Sequence, residues 1–111
     1  MGKVEIGRTV SYEALEKALL EAAKKVGLRA RVEDQFEQGY KLGSVQETRR
    51  YSHTMVYLRG RLLPAMAIYI HGKGLATDFR VWNNVPSNGF ASESTVKEYL
   101  NAVSEVLAAA V

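Results

Sequence analysis

Met66-Ala67-Ile68-Tyr69-Ile70-His71-Gly72-Lys73-Gly74-Leu75-Ala76-Thr77-Asp78-Phe79-Arg80-Val81-Trp82 decides the fold class. Met66, Ile68 and Ile70 alternate with Ala67, Tyr69 and His71, the two-residue period of a strand with one buried face. Gly72-Lys73-Gly74 supplies turn residues. Leu75, Thr77, Phe79 and Val81 then alternate with Ala76, Asp78, Arg80 and Trp82. The stretch is read as a β-hairpin whose core side carries Met66, Ile68, Ile70, Phe79 and Val81.

Working outward, alternation continues upstream. Val56 and Leu58 alternate with Met55, Tyr57 and Arg59, and Leu28, Ala30 and Val32 with Arg29, Arg31 and Glu33. Gly60-Arg61 reads as a turn, and Pro64, which lacks a ladder donor, marks a strand start or an edge. A weaker strand is expected around Lys3–Ile6. The polar segment from Glu37 to Ser52, with Gly39 and Gly43, reads as a long loop or a protruding hairpin arm outside the main core. Asn83–Ala91 is rich in Asn, Pro, Ser and Gly and reads as a loop.

Two segments switch to the helical period. Leu15, Ala18, Leu19, Ala22 and Val26 form one apolar stripe. Ser11 is a fitting N-cap, Val10 and Leu15 a hydrophobic staple, and Gly27 the left-handed residue that ends the helix. Glu13–Lys17 and Glu21–Lys25 are spaced as i,i+4 pairs. A second helix starts near Glu93, capped by Ser92 or Ser94, with the stripe Val96, Tyr99, Leu100, Val103, Leu107 and Ala110. Each helix has one apolar stripe and covers one side of the sheet. The predicted fold is α+β: an antiparallel sheet of about four to five strands with two helices packed on one face. The order is β-α-β-β-β-β-α, in a single domain over residues 1–111.

Composition limits the chemistry. With 111 residues, 47% hydrophobic and 24% charged, the chain can bury a core without staples. It has no cysteine, which removes disulfides, thiolate metal sites and cysteine nucleophiles. His53 and His71 stand apart with no partner motif, so neither a metal site nor a cofactor is expected. Gly72-Lys73-Gly74 lacks the spacing of a phosphate loop. Met1–Glu5 is followed by no apolar h-region, and Leu62–Ile70 is too short to span a bilayer, so a cytoplasmic, non-membrane protein is expected.

The net charge is +3, and its distribution is uneven: Thr48–Ser92 holds six basic residues and one acidic, the rest nine and eleven. On the strand parity above, the sheet face turned away from the helices carries Arg29, Arg31, Met55, Tyr57, Arg59, Tyr69, His71, Asp78, Arg80 and Trp82. Solvated strands normally display Thr, Lys, Glu and Ser there. Aromatics and arginine are instead the residues enriched at binding surfaces. The candidate binding residues are therefore Arg29, Arg31, Tyr57, Arg59, Tyr69, His71, Arg80 and Trp82.

The expected function is a binding or assembly module. Four occupants of the face compete: a second copy of the chain, single-stranded nucleic acid held with weak sequence preference, a small anionic ligand, and another protein. Homodimerisation is expected, with nucleic acid the leading external partner. The alternative is a small enzyme or anionic-ligand subunit with its pocket near Tyr69, His71, Asp78 and Arg80. No catalytic motif supports an enzyme over a binding module.

Overall fold

The computed structural model describes residues 2–43, 45–60, 64–72, 75–82 and 93–109, with the backbone alone for residues 2, 34, 36–38, 40–42, 45–49 and 72. The order is β1 (Gly2–Ser11), α1 (Tyr12–Lys25), β2 (Arg29–Leu42), β3 (Val45–Tyr57), β4 (Met66–Gly72), β5 (Leu75–Trp82) and α2 (Glu93–Ala109). The strands form one antiparallel sheet in the spatial order β1-β5-β4-β3-β2. The fold is α+β with the expected order.

Helix α1 begins and ends as its sequence dictates. The Ser11 hydroxyl accepts from the Ala14 N–H at 3.1 Å, satisfying one of the unpaired donors of the first turn. At the other end Gly27 has φ +77°. Its N–H donates to the Lys24 carbonyl and the Leu28 N–H to the Ala23 carbonyl, the paired closure that a left-handed residue permits. The expected i,i+4 pairs give way to tertiary ones. Glu13 pairs with Arg50, and Lys25 with Glu105 of α2 at 2.9 Å, while Lys17–Glu21 supplies an i,i+4 contact at 3.9 Å.

The core lies between the helices and one sheet face. Leu15, Leu19, Ala22, Tyr99, Val103 and Leu107 meet Val56, Met66, Ile68, Ile70, Phe79 and Val81. Tyr99 is fully buried, and its hydroxyl donates to the Leu19 carbonyl at 2.9 Å, tying α2 to α1. Burial holds this phenol above its ordinary pKa. Tyr12 is buried as well; its hydroxyl donates to the Arg50 carbonyl at 2.8 Å, and burial pushes it up to about 12.

Three expectations are corrected. Of the two readings of Glu37–Ser52 the hairpin arm is the one that forms, as β2 and β3 pair without a break from Asp34↔His53 to Leu42↔Val45, and what is corrected is its place wholly outside the core. Only its outer part projects, because β4 runs beside β3 just from Val56 to Arg50. The inner part is core: Ser52 is fully buried, and Arg50 is held against Tyr12 with its guanidinium 5.3 Å from the ring centroid. Second, parity slips in β5. Ala76 is buried and Leu75 is 61% exposed. The cause lies in β1, where five steps from Glu5 to Val10 run against two from Asp78 to Ala76, around Gly7 at φ +85°. Third, β3 ends at Tyr57, so Arg59 lies in the turn before Gly60 and not on the sheet.

Candidate functional site: the outer face of the sheet

Directly opposed residues of antiparallel strands share a face, so the register assembles the surface away from the helices row by row. Arg29 stands beside Tyr57. Arg31, Met55, Ala67 and Trp82 form the next row, then His53, Tyr69, Arg80 and Lys3, then Tyr51 beside His71. The expected parity holds for Phe79, Val81 and all of β4. Arg29, Arg31, Tyr57, Tyr69, His71, Arg80 and Trp82 are thus brought onto one face, and Arg59 is left off it.

The centre of this face is a block of four rings. His53 meets Tyr69 edge-on, with centroids 4.6 Å apart and planes at 76°. Tyr51 and His71 lie tilted at 6.4 Å. Tyrosine and imidazole alternate in both directions across β3 and β4. Trp82 stands on the neighbouring β5 at 43% exposure, and Tyr57 continues the row along β3. Tyr51 and His53 were missing from the residues inferred from sequence. Their signal was present: Tyr51, His53, Met55 and Tyr57 alternate with Ser52, Thr54 and Val56, a seven-residue strand pattern hidden by reading the segment before it as a loop.

The electrostatics are more balanced than the residue list suggested. A bulge between Val32 and Asp34 adds Glu33 to the outer face. Glu33 accepts from Arg31 at 2.8 Å and from the Tyr57 hydroxyl at 2.6 Å. The hydrogen bond with Tyr57, then that with Arg31, holds the Glu33 carboxyl below its usual range, and the same bond holds the Tyr57 phenol up. The guanidiniums of Arg29 and Arg31 lie 5.2 and 6.0 Å from the Tyr57 ring centroid, within cation–π range. Lys3 pairs with Glu5 at 3.1 Å and Asp78 at 3.5 Å. Arg31 and Lys3 are thus paired with carboxylates on the same face.

Behind the rings, on the core side, a polar cluster fixes β3. The buried Glu16 of α1 accepts from the Ser52 hydroxyl at 3.0 Å and from Gln35, and Arg50 lies 3.5 Å from its second oxygen. A buried carboxylate is tolerable only when partnered in this way. The cluster holds the strand carrying Tyr51 and His53 rigid against α1. Of the residues named for the alternative pocket, Tyr69, His71 and Arg80 lie on the outer face, and Asp78 is engaged by Lys3 at 3.5 Å. Among the described residues no group of three or more His, Asp or Glu is placed to hold a metal ion, and no helix is long and apolar enough to cross a membrane.

No family model, no curated protein and no solved structure matches this chain.

Proposed function

We propose that the chain is a binding module whose working surface is the outer sheet face, and that this face takes single-stranded nucleic acid by stacking its bases. The observation that carries the reading is the array of Tyr51, His53, Tyr69, His71 and Trp82 on adjacent strands. Flat rings with polar edges accept any base by its π-face, and each such contact is worth about 1–3 kcal/mol. Same-face rings along a strand repeat at about 6.7 Å. That is about twice the spacing of nucleotides in a stacked strand, roughly 3.4 Å. A single strand with its bases drawn apart matches the array, and a duplex does not.

Phosphate contacts fall to Arg29 and Arg80, which the register places on the two flanks of the ring array. Two contacts give a salt slope of about −1.4 for a single strand, shallower than a basic groove would show. Stacking on rings does not read base edges, so sequence preference is weak.

The test is a titration of the single tryptophan's emission with an unlabelled oligothymidylate at low salt. Binding should quench Trp82, and by fluorescence anisotropy of a labelled oligothymidylate Trp82→Phe should retain affinity that Trp82→Ala loses by tenfold or more. An unchanged emission at millimolar strand concentration would falsify the reading. Quenching by a small polyanion alone, with none by the oligonucleotide, would favour the anionic-ligand alternative instead.

A further inference from the structure

We propose that two copies of the chain pair through the free edge of β2, antiparallel and two-fold related, so that their sheets join into one. This uses the margin of the sheet and goes beyond the reading of its outer face.

Among the described residues strand β2 is the last strand on its side of the sheet, fourteen residues long, with β3 as its neighbour on one side. An edge strand of this kind offers backbone donors and acceptors along its outer side, a template for a further strand. A groove runs along this margin, lined by Leu20 and Lys24 of α1 with Leu28, Arg29, Ala30, Arg31 and Tyr57. Leu20, Leu28 and Ala30 are each only half-buried there. The opposite margin, β1, is far more distorted, with five steps set against two of its neighbour.

Bulges and charges ordinarily protect an edge, and β2 has both. Here they protect it selectively. A straight strand laid along β2 would fall out of step at Glu33, the extra residue between Val32 and Asp34. A second β2 would not. When the two-fold passes between Val32 and Glu33, each copy brings its own extra residue to the same point. Val32 then faces Glu33 of the second copy, Arg31 faces Asp34, Ala30 faces Gln35 and Arg29 faces Phe36, and the strands stay in step on both sides of the bulge. The charges agree with this arrangement. Arg29 and Arg31 lead the strand, and Glu33, Asp34 and Glu37 follow them. Antiparallel self-pairing sets the basic half against the acidic half twice over, whereas parallel pairing would set like against like. A two-fold normal to the sheet keeps the two outer faces on one side, making the ring surface continuous. It also brings Leu20 of each α1 to the junction.

The chain contains no cysteine, so the register can be tested directly. Arg31→Cys and Asp34→Cys chains are prepared separately, mixed, and oxidised with glutathione disulfide. A cross-linked species linking position 31 of one chain to 34 of the other should form in the mixture and far less in either variant alone. Lys17→Cys, on the exposed side of α1, controls for collision. Asp34→Arg should weaken the dimer about tenfold, and adding Arg31→Glu should restore it. Sedimentation of the unmodified chain should give twice 12.3 kDa. A mass of 12.3 kDa at high concentration, or a dimer in which positions 31 and 34 do not link, overturns the proposal. A monomer whose Trp82 is still quenched by a single strand overturns the pairing while leaving the face reading intact.

Discussion

Replacing Glu16 by alanine removes a buried carboxylate that ties helix α1 to the hairpin. The side chain is almost fully enclosed, accepts from Ser52 and Gln35, and pairs with the Arg50 guanidinium at 3.5 Å. Hydrogen bonds to an ionised group contribute about 1.5–3 kcal/mol, and a buried hydroxyl left unpaired costs about 1–3 kcal/mol. Gln35 lies at the surface, and Arg50 keeps Glu13, so the loss concentrates on Ser52. Glu16→Ala should therefore cost about 3 kcal/mol, a large part of a stability expected at about 5–15 kcal/mol. At roughly 4 °C per kcal/mol for a domain of this size, Tm should fall by roughly 12 °C. Urea unfolding followed by tyrosine circular dichroism gives the free energy. Adding Ser52→Ala should cost less than the two single changes summed, with a coupling of about 1 kcal/mol. A loss below about 1 kcal/mol for Glu16→Ala, or strict additivity with Ser52→Ala, would show that the cluster does not anchor the hairpin.

Thr54 is fully buried, and its hydroxyl has no hydrogen-bond partner among the described residues; Thr54→Val keeps the shape and should leave stability unchanged or raise it by up to about 1 kcal/mol, measured by urea unfolding. Tyr12 and Tyr99 are held protonated by burial. The unfolded chain therefore loses these protons first as pH passes about 10, and stability declines from there upward. Tyr99→Phe should make the alkaline transition shallower, as followed by tyrosinate absorbance, and an identical transition would contradict the assignment. The ribbon beyond β4 carries none of the core named above, so replacing Gln38–Arg49 with Asn-Gly, a favoured two-residue hairpin turn, should leave a cooperative unfolding transition, and its loss would place part of the core in the arm.

The two-residue alternation of Met66–Ile70 and the helical stripes were legible because burial on one face selects them directly. Both caps of α1 were legible for local reasons, since Ser11 and Gly27 each satisfy backbone groups within one turn. What escaped was non-local. Glu33 is polar in either register, so nothing in its own run shows that it is an extra residue turning Asp34 and Gln35 to new faces. Leu75 reads as a better core residue than Ala76, yet the distortion of distant β1 decides which is covered. The glycines and polar residues of Glu37–Ser52 left a loop and a hairpin arm both open because cross-strand pairing, not apolar alternation, supports that ribbon. The same reading hid Tyr51 and His53. The place of Arg50 against Tyr12 and Glu16 on another element is also set by non-local contacts. The helix charges likewise found tertiary partners that i,i+4 spacing cannot reveal.

The two imidazoles report on the ring face itself. The chain has only two histidines, both in the four-ring block, so their C–H proton resonances are resolved and assigned by His53→Gln and His71→Gln. Stacking of a base on Tyr51 or Tyr69 places its ring current beside both histidines. On titration with an oligothymidylate at constant pH, the resonances of His53 and His71 should shift together along one binding curve, while the methyl resonances of Leu19 and Val103 in the core stay in place. A saturable shift confined to residues of α1 or α2, with both imidazoles unmoved, would place any binding elsewhere on the molecule and remove the outer face as its working surface.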